Sequence, residues 1–512
     1  MQHPAPSSPA ELAAFETLKL RLPELFREVS ANPRIEHTVL VVPSLSLNAE
    51  ELAKVTGVHH YEERLLYMLM LLRQPRTHLV YVTSQPLNPS IVDYYLHLLS
   101  GVPGSHARRR LTLISCLDAS PIPLTEKILR RPLLQKRILE AIPDRRMAHL
   151  SVFNASPLER TLSVRLGLPL YANDPGLYDL GTKSGCREVF REAGVLLPDG
   201  IERLRDEGDV VDAIDTLIAR NAGLRRLVVK LNDGFSGEGN AIFPITGCPE
   251  TGDRKPWIRS TLPHLRFEAP REQYDSYMQK YKEMGGVVEV FIEGEEKKSP
   301  SCQSRVNALG DPMTISTHDQ VLGGPSGQVF LGCTFPAARE YRLDIQDAGF
   351  KVARVLAQRG VVGRFSTDFV SVKNPKSGVW DHYAIEVNLR KGGTTHPFLT
   401  LKFLTDGTYD TTTGLFYTPS EKEKYYYASD TLNSDHYKGL SPDDLINIAV
   451  YHGLHFHGAT ERGVVFHLMG ALSEFGKLGL VCIGDNPQQA MFLYNKTVGV
   501  LNQEAARLRE SM

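Results

Sequence analysis

The sequence predicts a mixed α/β and α+β protein built from three successive regions: a Rossmann-like α/β unit, a longer strand-rich α+β stretch and a small closing α/β region. Three observations carry this reading. Short β-branched runs alternate with helical patterns over the first part of the chain. From residue 171 to 425 there is more Gly, more Thr and more alternating strand pattern. From about residue 440, helix, glycine turn and strand return. At 512 residues the chain is too long for one compact core, so several domains are expected.

Residues 1–35 read as a Pro/Ser-rich start and one helix. Thr38 to Val42 is a short apolar run before Pro43, a buried-strand signal. A helical pattern from about Tyr61 to Arg73 follows, stopped by Pro75. His78 to Thr83 is a second strand, Ile91 to Leu99 a second helix and Arg110 to Ile114 a third strand. Such alternation predicts a parallel sheet. Pro43-Ser44-Leu45-Ser46 stands where a GxGxxG fingerprint would follow the first strand, which disfavours dinucleotide binding by this unit. Ser156, Ser441 and Asn486 each precede Pro and stand three residues before an acidic or amide side chain, three clear helix starts. Leu478 to Ile483 is a closing strand.

Composition excludes several classes. The formal net charge is −1, so there is no bulk case for nucleic-acid or membrane partners. The six cysteines are scattered without a CxxC, as in reduced thiols rather than a disulfide or zinc framework. No signal-peptide pattern opens the chain, and the strongest apolar stretch, Leu65 to Leu72, is too short to span a bilayer. A cytoplasmic protein is expected. Residues 105–146 concentrate basic side chains, read as a solvated face or as a surface attracting an acidic or peptidic substrate. His452, His455, His457 and His467 cluster without a carboxylate or Cys at zinc spacing.

Candidate chemistry lies in the middle stretch. Glu386-Val387-Asn388 places a carboxylate and an amide on one strand face, about one hairpin after Asp368. Such hard oxygen donors suit Mg²⁺, or Mn²⁺, held against nucleotide phosphates. Upstream, Lys230 ends a strand and feeds a loop with Gly234, Ser236, Gly237 and Gly239, where backbone N–H groups can close over phosphate oxygens. A plain hairpin turn is the alternative. Gly181-Thr182-Lys183-Ser184 imitates only the tail of a GxxxxGK[ST] loop. Lys183 begins a helix that Gly194 ends, and a cation is disfavoured there unless an anion sits nearby. Val287 to Ile292 runs into Glu293-Gly294-Glu295-Glu296, a strand that can offer backbone to an adenine edge and a carboxylate to ribose.

The order of these parts resembles the ATP-grasp superfamily of carboxylate–amine ligases over roughly residues 175–400. Further segments are similar to the pheganomycin-type peptide ligases: Val42 to Ser46, His60 to Arg64, Thr83 to Pro86, Leu124 to Leu129, Ser316 to Gln320, Gly332 to Ala337, Asn388 to Pro397 and Gly463 to Met469. That resemblance covers nearly the whole chain. It implies a helical segment at 1–35, a Rossmann-like pre-ATP-grasp domain at 36–170, a two-lobed ATP-grasp domain at 171–425 and a C-terminal domain at 426–512. It implies that Lys183 and Lys230 hold ATP phosphates. Glu289, Val290, Phe291 and Ile292 would form the adenine hinge, and Glu296 would bind ribose. Asp368, Glu386 and Asn388 would bind Mg²⁺.

The implied reaction joins an amino-acid-like carboxylate to the amine of an amino acid or peptide through an acyl phosphate. Arg390, with Arg364 as alternate, would meet the developing oxyanion. His318, beside Asp319, is a candidate base for the attacking amine, or a residue that only organises its loop. The alternatives are a nucleotide-binding scaffold that no longer ligates and a phosphotransferase. The partners expected are small-molecule acid and amine substrates, and a homodimer is the default from symmetry statistics.

Overall fold

The computed structural model describes residues 3–510 except 33, 48, 235–238, 270 and 324–328. A parallel sheet opens the chain, with strands β1 (His37–Val42), β2 (Thr77–Thr83), β3 (Leu111–Ser115) and β4 (Ala148–Val152) in the order β3-β2-β1-β4. Its strands are apolar because helices cover both faces. The expected helix from Tyr61 is a 3₁₀ helix, Val58–Arg73. Its side chains are buried on several sides, so no amphipathic period separates it from an α-helix.

The second sheet holds β5 (Gly200–Leu204), β6 (Arg226–Leu231), β7 (Asn240–Pro244), β8 (Arg266–Phe267) and β9 (Gly286–Val290), in the order β5-β9-β6-β7-β8. The largest sheet contains nine strands: β10 (Lys297–Lys298), β11 (Pro300–Val306), β12 (Pro312–Gly323), β13 (Val329–Phe335), β14 (Gly363–Lys373), β15 (Trp380–Asn388), β18 (Tyr425–Asn433), β19 (Gly463–His467) and β20 (Lys477–Gly484). A small pair, β16 (Thr408–Asp410) and β17 (Leu415–Tyr417), lies between them in sequence. The fold is therefore the mixed α/β and α+β class expected.

β18 pairs with β13 and β20, so the last three strands extend the same nine-stranded sheet, and β20 lies inside it with β19 at the edge. Long-range strand pairing of this kind leaves no local trace in composition.

Most of the basic concentration at 105–146 is spent locally. Arg108 pairs with Asp93, Arg130 with Glu126, Arg131 with Asp118 and Arg146 with Asp144. Arg110 donates to backbone carbonyls of Leu72, Gln74 and Thr77. Among the described residues no helix is long and apolar enough to cross a membrane.

Candidate active site

Two antiparallel strands set the centre of the site. β14 and β15 pair so that Asp368 faces Glu386 and Ser366 faces Asn388. Along β15, Ala384 and Val387 are buried against the core beneath, while Glu386 and Asn388 turn to the other side. Asp368, Glu386 and Asn388 therefore converge as their spacing predicts. Asn388 Nδ2 donates to Asp368 Oδ2 at 3.0 Å, and Ser301 Oγ donates to Asp368 Oδ1 at 2.6 Å. Arg390 Nη2 donates to Asn388 Oδ1 at 3.0 Å, so Arg390 continues the same cluster.

The electrostatics are those of two carboxylates crowded together. Burial, and then the Glu386 charge, push Asp368 up to about 6. Against its own burial, Lys183 holds Glu386 below the usual carboxylate range. The Lys183 ammonium is ion-paired to Glu386 Oε1. Glu386 is thus the anion that makes a cation tolerable at the start of this helix.

Lys183 is aimed by its helix, Lys183–Ala193, which is capped by Thr182 and ends at Gly194 with φ 65°. Asn232, just past β6, fixes the other side. Its carbonyl accepts from Lys183 N, and its side-chain oxygen accepts from Ser184 N and Ser184 Oγ. Gly185 packs so tightly on the preceding turn that an added Cβ would lie 1.9 Å from the Asp179 carbonyl oxygen. Asn232 escaped the sequence reading as a site residue, because Lys183 and Ser184 become its neighbours only when the helix docks on β6.

Lys230 lies on β6, and Glu289 reaches it diagonally from β9, where its register partner is Val228. Glu289, 3% exposed, accepts from both Lys230 and Arg187, the latter at 2.6 Å. Despite burial, these two cations hold its carboxyl below the usual range. Glu289 is sealed in an ion trio, and its backbone is spent in pairing with Gly200 and Val228. The sheet ends at Val290, so only Phe291 and Ile292 leave it. Phe291 lies between the Arg226 guanidinium, 3.8 Å from its ring centre, and Lys297 Nζ at 4.6 Å. Ile292 carbonyl accepts from Lys297 Nζ at 3.1 Å, and Glu296 is ion-paired to Lys373 at 3.2 Å.

Replacing Glu289 by Ala leaves Lys230 without its acid and Arg187 with Glu202 alone. The expected loss is about 3–5 kcal/mol of folding free energy, read by urea unfolding; a loss below about 1 kcal/mol would show the trio to be solvent-screened.

The loop after β6 brings its ends together: Leu231 N donates to Gly239 O at 2.9 Å, and a Cβ on Gly234 would meet Gly239 N at 3.1 Å. Ser236 and Gly237 lie outside the described residues.

His318 is not at this site. It is 0% exposed, shares a 2.5 Å hydrogen bond with Tyr426 and lies against the Phe335 ring. Burial pushes it down to about 3. No substrate amine reaches a ring sealed in that way, which corrects its assignment as a base. Its neighbour Asp319 accepts from Ala338 N and Tyr341 OH, holding the turn after β13. The later histidines also scatter: His452 pairs with Glu504, while His467 stacks on His396 at 4.1 Å.

The donor set fits a divalent cation. Asp368 and Glu386 supply hard anionic oxygens whose mutual repulsion a cation relieves, and Asn388 adds an amide oxygen that it now shares with Arg390. Arg364, on β14, and Arg390 both line a cavity running from this cluster toward the parallel sheet.

Comparison with known proteins gives two family-model matches. Residues 177–253 and 265–412 match the model described as IQCH-like, ATP-grasp, and residues 444–497 match the PGM1 C-terminal domain. The chain is 30% identical over 460 residues to L-propargylglycine–L-glutamate ligase of Streptantibioticus cattleyicolor, covering 88% of this chain and 92% of that one. It is 20% identical over 521 residues to IQ motif-containing protein H of Danio rerio, covering 92% of this chain but only 48% of that longer protein. Among solved structures, the biotin carboxylase domain of Hydrogenobacter thermophilus 2-oxoglutarate carboxylase superposes with a TM-score of 0.52 at 12% identity. That match covers 90% of this chain and 89% of the other. Campylobacter jejuni biotin carboxylase gives 0.51 at 12% identity, covering 89% of each. At such identity these two structures speak to the fold.

Proposed function

We propose, for a chain that belongs to the pheganomycin-type family of ATP-grasp ligases, that the cluster around Asp368, Glu386 and Asn388 is where a carboxylate is activated by ATP. The protein is an ATP-dependent ligase that forms a C–N bond. The single observation that supports placing the chemistry here is the convergence of Lys183, Asp368, Glu386, Asn388 and Arg390 on one strand pair and one helix start.

The acid's carboxylate oxygen attacks the γ-phosphorus, the bond to ADP breaks, and an acyl phosphate forms. An amine then attacks the acyl carbon, and inorganic phosphate leaves with the bonding electrons. Both steps gather negative charge, so catalysis is mainly positioning and neutralisation. Lys183 and Lys230 would face phosphate oxygens, each oriented by a carboxylate, Glu386 or Glu289. Asp368, Glu386 and Asn388 would hold Mg²⁺ or Mn²⁺, which would supply further neutralisation of phosphate charge. Arg390 stands next to Asn388 and faces the cavity, in position to meet the acyl oxygen; Arg364 lines the same cavity from β14. The substrates are a small-molecule acid and amine, of the amino-acid or peptide class that the Streptantibioticus relative's name describes for that enzyme.

With ATP, Mg²⁺ and pooled amino acids and dipeptides, ADP and phosphate should appear only when both an acid and an amine are present. Chelating the metal should stop their release while leaving the folded state intact by circular dichroism. Release of AMP and pyrophosphate would overturn the reading.

A further inference from the structure

A cavity of about 450 Å³ opens from Arg390 toward the parallel sheet and the first helix, Pro9–Ala31. Its lining is chemically lopsided. Among the described residues five cations face it, Arg305, Arg364, Arg390, Lys391 and Lys402, and no Asp or Glu lines it. Within the described residues, no ion pair joins any of the five to a carboxylate. Arg390 contacts an amide, Lys391 donates to Val152 O, and Arg305 donates to Tyr171 OH at 2.6 Å. Arg364 Nη1 is buried without a hydrogen-bond partner. Elsewhere the chain pairs Arg187 with Glu202 and Glu289 and Arg64 with Asp430, whereas buried Arg110 is held by backbone carbonyls alone.

Arg305, Arg364, Arg390 and Lys391 are only partly exposed, while Lys402 is exposed; unpaired cations in a partly buried cavity repel one another and lose hydration, so they hold their charge at a cost that an anion relieves. The stress is visible. Burial, and then Arg364, push Lys391 down to about 7. Burial, then Arg364 and Arg305, lower Lys402, and burial, then Arg305, lower Arg364. The lining also has an apolar part, Leu22, Leu25, Phe26 and Val29 from the first helix with Leu71 and Phe403, and the Arg305 guanidinium lies 6.0 Å from the Phe26 ring centre.

We infer that this cavity takes the acyl-donor substrate, and that this donor is an acid with an apolar body and a second anionic group. Its reacting carboxylate lies at Arg390, and its second anion, a carboxylate or a phosphate, lies among Arg305, Arg364 and Lys402. One anion can be met by Arg390 alone; the remaining cations need another. The inference rests on the ligase reading for the role of donor, but its test is a binding measurement made without turnover.

The probes are N-acetyl-4-methylphenylalanine, N-acetyl-4-carboxyphenylalanine and N-acetyl-O-phosphotyrosine, titrated calorimetrically into the full-length protein. The first has one anionic group and the others have two. At least one dianion should bind about tenfold or more tighter than the methyl compound, and the stronger of the two identifies carboxylate or phosphate. Lys402→Met and Arg305→Met should each shrink that preference without weakening the methyl compound, and Lys402→Arg should keep it. Equal affinities, no binding of any probe, or a preference untouched by both Met variants would overturn the inference. Charge-selective binding together with failure to release ADP with any acid and amine would instead overturn the ligase reading and leave the inference standing.

Discussion

Glu386→Gln should lower the rate of ADP release by at least about 10²–10³-fold while the urea midpoint stays close to that of the unaltered protein. Glu386 carries two loads. It faces Asp368 across the β14/β15 pair, and it holds Lys183. The Gln side chain keeps the shape and an oxygen but gives up the charge. A divalent cation then loses an anionic donor, and Lys183 loses the partner that aims it. Stability should change little for a balancing reason. Lys183 loses an attraction, whereas Asp368 loses the like-charge neighbour that, after burial, raises its carboxyl. Full activity in this variant would discredit the metal-binding assignment. A collapsed urea midpoint would show that the residue is mainly structural.

Arg390→Met should cost about 10²–10³-fold in kcat, with ATP affinity within a few-fold of the unaltered protein. The residue touches Asn388 rather than Lys183 or Lys230, and it faces the cavity rather than the glycine loop. On the proposed reading its charge would act on the acyl group more than on the nucleotide. Arg364→Met is the matched comparison. Arg364 lies on β14 opposite Arg305, sharing the cavity but not the Asn388 contact. Its loss should fall mainly on KM for the acid. The reverse pattern, kcat lost with Arg364 and KM raised with Arg390, would exchange their roles. Single-turnover rates and nucleotide titrations separate the two.

What the sequence made legible was local. Glu386 and Asn388 are two apart, and a strand's period places them together without knowledge of the rest of the fold. Lys183 opens a helix ended by Gly194, which cap chemistry alone reveals. The parallel sheet followed from alternating patterns, although its fourth strand, β4, with the mixed run Ala148-His149-Leu150-Ser151-Val152, carried too weak a signal.

What was illegible depended on residues far apart in the chain. Glu289 read as an adenine contact because its partners Lys230 and Arg187 are 59 and 102 positions away. His318 next to Asp319 read as a proton acceptor because nothing local shows that Tyr426, 108 residues later, closes over it. The merging of β18, β19 and β20 into the main sheet is a pairing of the same kind. The five-cation cavity is assembled from β11, β14, the segment after β15 and the helix Thr395–Thr405, so no window of sequence shows its charge imbalance.

On the proposed reading a carboxylate oxygen becomes bonded to the γ-phosphorus before the amine attacks. Amino acids and dipeptides labelled with ¹⁸O in their carboxyl groups, turned over with ATP and Mg²⁺, test it directly by mass spectrometry of the released phosphate. An acyl phosphate predicts one ¹⁸O in inorganic phosphate for each amide formed and none in the nucleotide. Label appearing in AMP, or amide formed with wholly unlabelled phosphate, would contradict the account.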